Sequence, residues 1–143
     1  MTVLFSKKCE IALQACLFLS IQERNTCFSA DFISENLNIP KEFTSKVLQS
    51  LEKFKIVGSK KGKSGGFFLL KPPSEITLLN IVESVDGLEV FDKCVLGFPN
   101  CNPNSPCPVH NRWGKIRDEA LKMLAEDTLE DLLDATNKKI KKL

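Results

Sequence analysis

Three consecutive residues, Asn38-Ile39-Pro40, limit what this chain can fold into more than any others. Proline steers the residue before it away from helical geometry, so Ile39 marks a corner. Pro40 itself suits the first position of a new helix. Before the corner, Ser29 predicts an N-cap for a short helix through Leu37, with Phe32, Ile33 and Leu37 turned inward. After it, a helix to about Phe54 carries Phe43, Val47, Leu48 and Leu51 as its apolar stripe. Two helices joined by so short a turn form a helix-turn-helix.

The next stretch, Ile56 to Leu70, reads IVGSKKGKSGGFFLL. Two β-rich runs, Ile56–Ser59 and Gly66–Leu70, flank a Gly/Lys/Ser tip, which is a hairpin signal. A helix-turn-helix followed at once by a basic hairpin predicts a winged helix-turn-helix. Its partner is then double-stranded DNA. Lys41, Glu42, Thr44, Ser45, Lys46 and Gln49 fall mainly off the apolar stripe of the second helix, and such side chains read base edges and phosphates in a major groove. Lys60, Lys61, Lys63, Ser64 and Gly65 at the tip suit phosphates or a minor groove. Charge segregates accordingly. Residues 41–71 carry eight Lys against two Glu, whereas residues 75–92 carry five acids and no base. The near-neutral total of +2 hides a basic module beside an acidic one.

The flanking segments complete the expected layout. Ser6 predicts an N-cap for a first helix, Lys7 to Gln22, that buries Ile11, Ala15, Phe18 and Leu19. Cys9 and Cys16 share a face of it and read as small core hydrophobes. Thr77 predicts the cap of a helix from Leu78 to Val85 that Gly87 ends. From Asn111 or Arg112 a longer amphipathic helix carries Trp113, Ile116, Ala120, Met123 and Leu124. Too little chain remains to cover that stripe, so pairing along it in a homodimer is expected. Thr128, with Asp131 three residues on, predicts a last short helix holding Leu129, Leu132 and Leu133, and Lys138 to Lys142 a frayed basic end. The expected fold is mainly α with a small β-hairpin wing. Residues 1–87 form a winged helix-turn-helix domain, 88–110 a cysteine-rich loop, and 111–143 a dimerisation helix and tail.

Between the last two helical regions lies Cys94 to His110, CVLGFPNCNPNSPCPVH. Glycine and repeated prolines exclude helix and strand there. A loop this long without regular structure needs something functional to order it. Cys94, Cys101, Cys107 and His110, spaced C-x6-C-x5-C-x2-H, supply a metal or iron–sulfur site as that something. Three chemistries fit: an iron–sulfur cluster, a tetrahedral zinc site of three Cys and one His, and a thiol–disulfide switch. The spacing alone leaves cluster and zinc open, because structural zinc sites usually start from closer cysteine pairs. No charged segment precedes an apolar run at Met1–Leu4, and no window approaches 18 apolar residues, so secretion and membrane insertion are not expected. A cytoplasmic setting, in which thiols serve as ligands, follows. An enzyme is not expected either. There is one His, no Ser/His/Asp set and no phosphate-binding glycine motif. A small electron carrier has no use for a basic wing.

The chain resembles the winged-helix iron–sulfur regulators of bacteria, of the IscR/NsrR type, over nearly its whole length. The resemblance is carried by Glu10–Leu13, by Asn38–Val57, by the wing Gly62–Leu69, by Pro72–Gly87 and by the three-cysteine loop. It implies a homodimer on a partly palindromic operator, with Cys94, Cys101 and Cys107 ligating a [2Fe–2S] or [4Fe–4S] cluster. Two fourth ligands occur in such regulators. One is a histidine just after the third cysteine, which His110 matches here. The other is a carboxylate from the first helix of the partner subunit, the position of Glu10. This sequence departs from the commonest pattern in having six rather than five residues between Cys94 and Cys101.

Overall fold

Short polar side chains close the first turn of the opening helices and so set where each begins. A computed structural model of the chain describes residues 4–143. Met1–Val3, part of the stretch read above for a leader, lie outside the described residues. Helix α1 (Lys7–Ser20) is capped by Ser6, whose Oγ accepts from the Cys9 N–H at 3.1 Å. Ser29 caps α2 (Ala30–Leu37) in the same way, accepting from the Phe32 N–H at 3.1 Å. The corner is made by Asn38 in the left-handed region at φ 55°. Pro40 then takes extended backbone and serves as the cap of α3 (Lys41–Lys53), one place ahead of the position its ring suits in general.

Strands β1 (Val57–Lys60) and β2 (Gly66–Leu69) pair antiparallel, with Val57 opposite Leu69 and Lys60 opposite Gly66. The hairpin is anchored on a third segment. The Phe28 N–H donates to the Phe67 carbonyl at 3.0 Å, and the Phe67 N–H to the Phe28 carbonyl at 2.7 Å. Gly66 is required at that crossing: its φ is +146°, and a Cβ there would lie 2.5 Å from the Phe28 carbonyl. After a short 3₁₀ turn (Pro73–Glu75), α4 (Leu78–Val85) starts in a full capping box between Thr77 and Asn80. Gly87 at φ 73° then turns the chain away. A second 3₁₀ turn (Glu89–Phe91) leads into the cysteine loop, and α5 (His110–Glu126) and α6 (Leu133–Ile140) follow.

Helix α1 is the spine, packing on α2, α3, α4, α6 and β2. Ile11, Ile33, Leu48, Leu51, Val57, Ile76 and Ile81 meet in one core, each fully buried or nearly so. Each such side chain contributes roughly 1.5–3 kcal/mol by leaving water. A second, smaller core joins Cys9, Val82, Phe91 and Leu124, with Ala120, Leu121 and Val90 against it. The first turn of α1, the end of α4, the entry to the cysteine loop and the far half of α5 therefore share one packing unit.

The C-terminal segment differs from expectation. Thr128 and Asp131 do make the anticipated cap contacts, Asp131 N–H to Thr128 Oγ1 at 3.2 Å and Thr128 N–H to Asp131 Oδ2 at 3.0 Å. Turns follow instead of a helix, and α6 begins only at Leu133. The cause is tertiary: Leu129 is drawn fully into the main core, and its N–H donates to the Ile76 carbonyl at 2.9 Å. The basic end is also less frayed than its composition suggests, because Ile140 packs against the core and α6 runs through Lys138 and Lys139.

Candidate metal centre and nucleic-acid interface

The cysteine loop is shaped by its own turns. The Gly97 N–H closes on the Cys94 carbonyl at 3.0 Å, and both Gly97 (φ 85°) and Asn100 (φ 57°) lie in the left-handed region. Asn102 Oδ1 accepts from the backbone N–H groups of Asn104 and Ser105 at 2.8 and 3.0 Å, an Asx turn that fixes the tip. The His110 N–H donates to the Cys107 carbonyl at 3.1 Å, and α5 starts at His110, one or two residues earlier than the sequence pattern implies.

These turns bring the sulfurs of Cys94, Cys101 and Cys107 within 4.8 Å of one another. None is in a disulfide, and all three are partly exposed. Partial desolvation opposes ionisation at Cys94. Hydrogen bonds from the Phe98 and Leu96 backbones, and then from the Cys107 and Cys101 thiols, outweigh it and hold Cys94 down at about 7, against an ordinary 9.0. Cys107 goes the other way. Desolvation raises it, the Val109 amide opposes this, and its two sulfur neighbours add to the rise. Three close sulfurs, with Cys94 held toward its thiolate, suit a cation-binding site, since the thiolate is the ligand form. Three sulfurs on one tetrahedral metal at about 2.3 Å would sit about 3.8 Å apart. The loop thus needs only a small contraction to hold a single ion, and the donor set fits thiolate-bound iron or zinc.

The two expected fourth ligands are placed differently. His110 Nδ1 lies 3.2 Å from Cys101 Sγ, at the edge of the thiol group. Glu10 is not among the converging donors of its own chain; it is largely shielded and pairs with Lys7 at 3.7 Å. Sequence reading missed a neighbouring residue, Asp86. Its Oδ2 accepts from the Ser6 N–H at 2.9 Å and its Oδ1 from the Ser6 hydroxyl at 2.5 Å. This ties the cap of α1 to the C-terminal end of α4, just before the chain enters the cysteine loop. An acid next to a helix-ending glycine carries no signal of such a distant partner.

Along α3, Glu42, Lys46 and Gln49 are exposed and Ser45 is half-buried. Lys41 is exposed but ion-paired with Asp31 at 2.8 Å, which raises its pKa through that hydrogen bond and charge. Thr44 differs from expectation. It is fully buried, and its hydroxyl donates to the Pro40 carbonyl at 2.8 Å, so it cannot face a groove. Phe43, expected inward, is 41% exposed. At the wing tip Lys60, Lys61, Lys63 and Ser64 are exposed, and none of the three lysines pairs with a carboxylate among the described residues. Gly65 is half-buried under them, where a Cβ would lie 2.0 Å from the Lys60 carbonyl. Two contacts unseen in the sequence brace the wing: Arg24 Nη1 donates to the Lys71 carbonyl at 3.1 Å, and the Ser59 hydroxyl to Glu52 Oε2 at 2.5 Å.

The stripe on α5 is divided. Leu124, expected between two copies, is buried within its own chain, and Ala120 packs beside it. Ile116 and Met123 are 61% and 52% exposed. Trp113 is half-buried, and its Nε1–H is shielded from water with no acceptor among the described residues. Val95, Leu96 and Phe98 of the cysteine loop are exposed as well.

An α-helical domain with an outward recognition helix and an unneutralised basic hairpin defines a winged helix-turn-helix transcriptional regulator. Comparison with known proteins agrees. The profile of the Rrf2 family, described as an iron-dependent transcriptional regulator, matches residues 5–135. The chain belongs to that family. The HTH-type transcriptional regulator NsrR of Oceanobacillus iheyensis is 30% identical over 131 residues, covering 89% of this chain and 87% of its own. Among solved structures, CymR, the global cysteine regulator of B. subtilis, superposes with a TM-score of 0.76 at 22% identity, covering 92% of this chain and 96% of that one. IscR of T. potens gives 0.72 at 22% identity, over 92% and 86%. No described helix is long and apolar enough to cross a membrane.

Proposed function

We propose that this regulator is a cytoplasmic homodimer whose binding to operator DNA is controlled by an iron–sulfur cluster held by Cys94, Cys101 and Cys107. The observation that carries the reading is the convergence of those three sulfurs within 4.8 Å, on a loop packed through Phe91 beside the end of α4. When bound, the cluster supplies an iron centre whose thiolate ligation responds to oxidant, nitric oxide or loss of iron. The residues of the chain do the rest. His110, or Glu10 of a second copy, completes the ligand set with a donor weaker than a thiolate. Ile116, Met123 and Trp113 pair with their counterparts in the partner. The lysines of the wing hold phosphates, while Glu42, Ser45, Lys46 and Gln49 face the major groove. Because the loop sits between α4 and α5, its order sets the separation of the two recognition helices. That separation must match half-sites about 34 Å apart for both to engage.

A second reading has its own support. The closeness of the sulfurs and of His110 to Cys101 suits one tetrahedral zinc ion without opening the loop. Purification without oxygen, visible absorption, and analysis for iron, sulfide and zinc separate the two. Equimolar iron and sulfide with a brown chromophore, and a change in operator affinity when the chromophore is destroyed, are the expected results. Zinc in place of iron sinks the cluster. Equal affinity of loaded and stripped protein for the same operator sinks the control mechanism.

A further inference from the structure

A cavity of about 410 Å³ opens between α1, the end of α2 and α6, far in sequence from both the cysteine loop and the wing. This lies within the roughly 300–1,000 Å³ of small-molecule sites. Its walls are apolar: Leu17 from α1, Leu37 from α2, and Leu132 and Ile140 from the C-terminal segment. Its three polar lining groups are the Gln14 amide, the Thr136 hydroxyl and the Lys139 ammonium, and no carboxylate side chain lines it. All three can donate.

None of the three is tied up within the fold. Gln14 and Lys139 are exposed, and the hydroxyl of Thr136, a residue only 8% exposed, is not among the shielded unpaired atoms, so each can exchange water for a ligand. A threonine inside a helix turns its hydroxyl either to the carbonyl four residues back, as Thr44 does to Pro40, or outward, where it is open to a partner. Lys139 has no ion pair, and the Gln14 amide no hydrogen bond, among the described residues. An apolar chamber with a cation and two neutral donors, and no acidic side chain in its lining, is complementary to an anionic head on an apolar body.

We propose that this cavity binds an apolar monocarboxylate, its body among Leu17, Leu37, Leu132 and Ile140 and its carboxylate on Lys139, Thr136 and Gln14. The site is a second input to the regulator and does not rest on the cluster assignment. Leu37 is the last residue of α2, at the corner into α3, while Leu132 follows the turn that Leu129 pins to the main core. A ligand there bridges the helix-turn-helix corner and the C-terminal segment.

Decanoate, below its micellar concentration, is the probe, with side-chain methyl NMR on the full-length protein as the readout. Saturable shifts are expected at the methyls of Leu17, Leu37, Leu132 and Ile140. Lys139→Glu, an exposed substitution that leaves the core intact, weakens decanoate at least tenfold and leaves decanol unchanged. Ala135→Trp, which fills the cavity from its rim, removes both. Shifts confined to Ile116 and Met123 mean only surface adsorption and overturn the proposal. Equal decanoate binding by Lys139→Glu overturns the carboxylate assignment. Shifts of the cavity methyls on simple dilution of ligand-free protein show that a second copy fills the groove, and also overturn it.

Discussion

The tie between Ser6 and Asp86 is the contact whose energetic weight is most open to measurement. Asp86→Ala removes one carboxylate that accepts from both the N–H and the hydroxyl of Ser6. A hydrogen bond to a charged group contributes about 1.5–3 kcal/mol, and part-exposure together with shared geometry keeps two of them from adding in full. The expected loss is about 3 kcal/mol, seen as a lower urea midpoint with unchanged slope. In a chain of this length it also lowers Tm by roughly 10 °C. Ser6→Ala costs about 1 kcal/mol more than its share of the tie, because Ser6 Oγ also caps the Cys9 N–H. A double-mutant cycle isolates the hydroxyl–carboxylate bond, with an expected coupling of about 1.5 kcal/mol. Coupling below about 0.5 kcal/mol, with both single variants folded, would refute the idea that this pair fastens α1 to the end of α4.

Three further outcomes are expected. Lys61→Ala combined with Lys63→Ala weakens operator binding and lowers the slope of log affinity against log salt by about 0.9 for each phosphate no longer neutralised, measured by titration from low to moderate salt. Gly65→Ala should destroy DNA binding while most of the helical signal survives, because the new Cβ collides with the Lys60 carbonyl at the wing tip; normal affinity would show that the tip rearranges freely. Cys16, whose thiol burial pushes up to about 12, with nearby Cys9 adding to the rise, is expected to resist alkylation in the native protein at pH 8. Its raised pKa also makes stability pH-dependent. Below about 9 both folded and unfolded chains keep the proton, and the full contribution is present. Between 9 and 12 only the folded chain keeps it, so stability falls by about 1.4 kcal/mol per pH unit for this one group. Alkaline denaturation of Cys16→Ala should show a shallower fall.

The parts of the fold that were legible in the sequence rest on local chemistry. Ser6, Ser29 and Thr77 mark helix starts because each bonds an amide within three residues, whatever the rest of the chain does. The hairpin was legible because its glycines and β-rich runs lie side by side. Part of what failed depended on distant partners. Leu129 belongs to the main core through Ile76, which no local pattern announces, so α6 was placed too early. Thr44 was misread through its hydroxyl, although its spacing of three, four and seven from Val47, Leu48 and Leu51 puts it on the buried stripe. Phe43, four and eight residues before Val47 and Leu51, has spacing that admits it to the edge of the same stripe, yet it stays 41% exposed in the first turn of α3. For the candidate metal centre, the donors could be named from the sequence but not their mutual approach. The inward turns at Gly97, Asn100 and Asn102 supply that, and they also leave Glu10 outside the group that a single chain assembles.

The second core has a consequence for how such a chain can change over generations. Phe91 before the loop and Leu124 in α5 are 3% and 2% exposed in one packed cluster with Cys9 and Val82. The loop thus hangs between fixed moorings. For an unstructured closure one more residue costs on the order of 0.05 kcal/mol, so any larger cost falls on the turns at Gly97, Asn100 and Asn102 and not on the moorings. A residue gained or lost between Cys94 and Cys101 is therefore expected to leave the DNA-binding half in place. Insertions and deletions there can retune what the thiols bind while selection on the operator-reading surface proceeds separately.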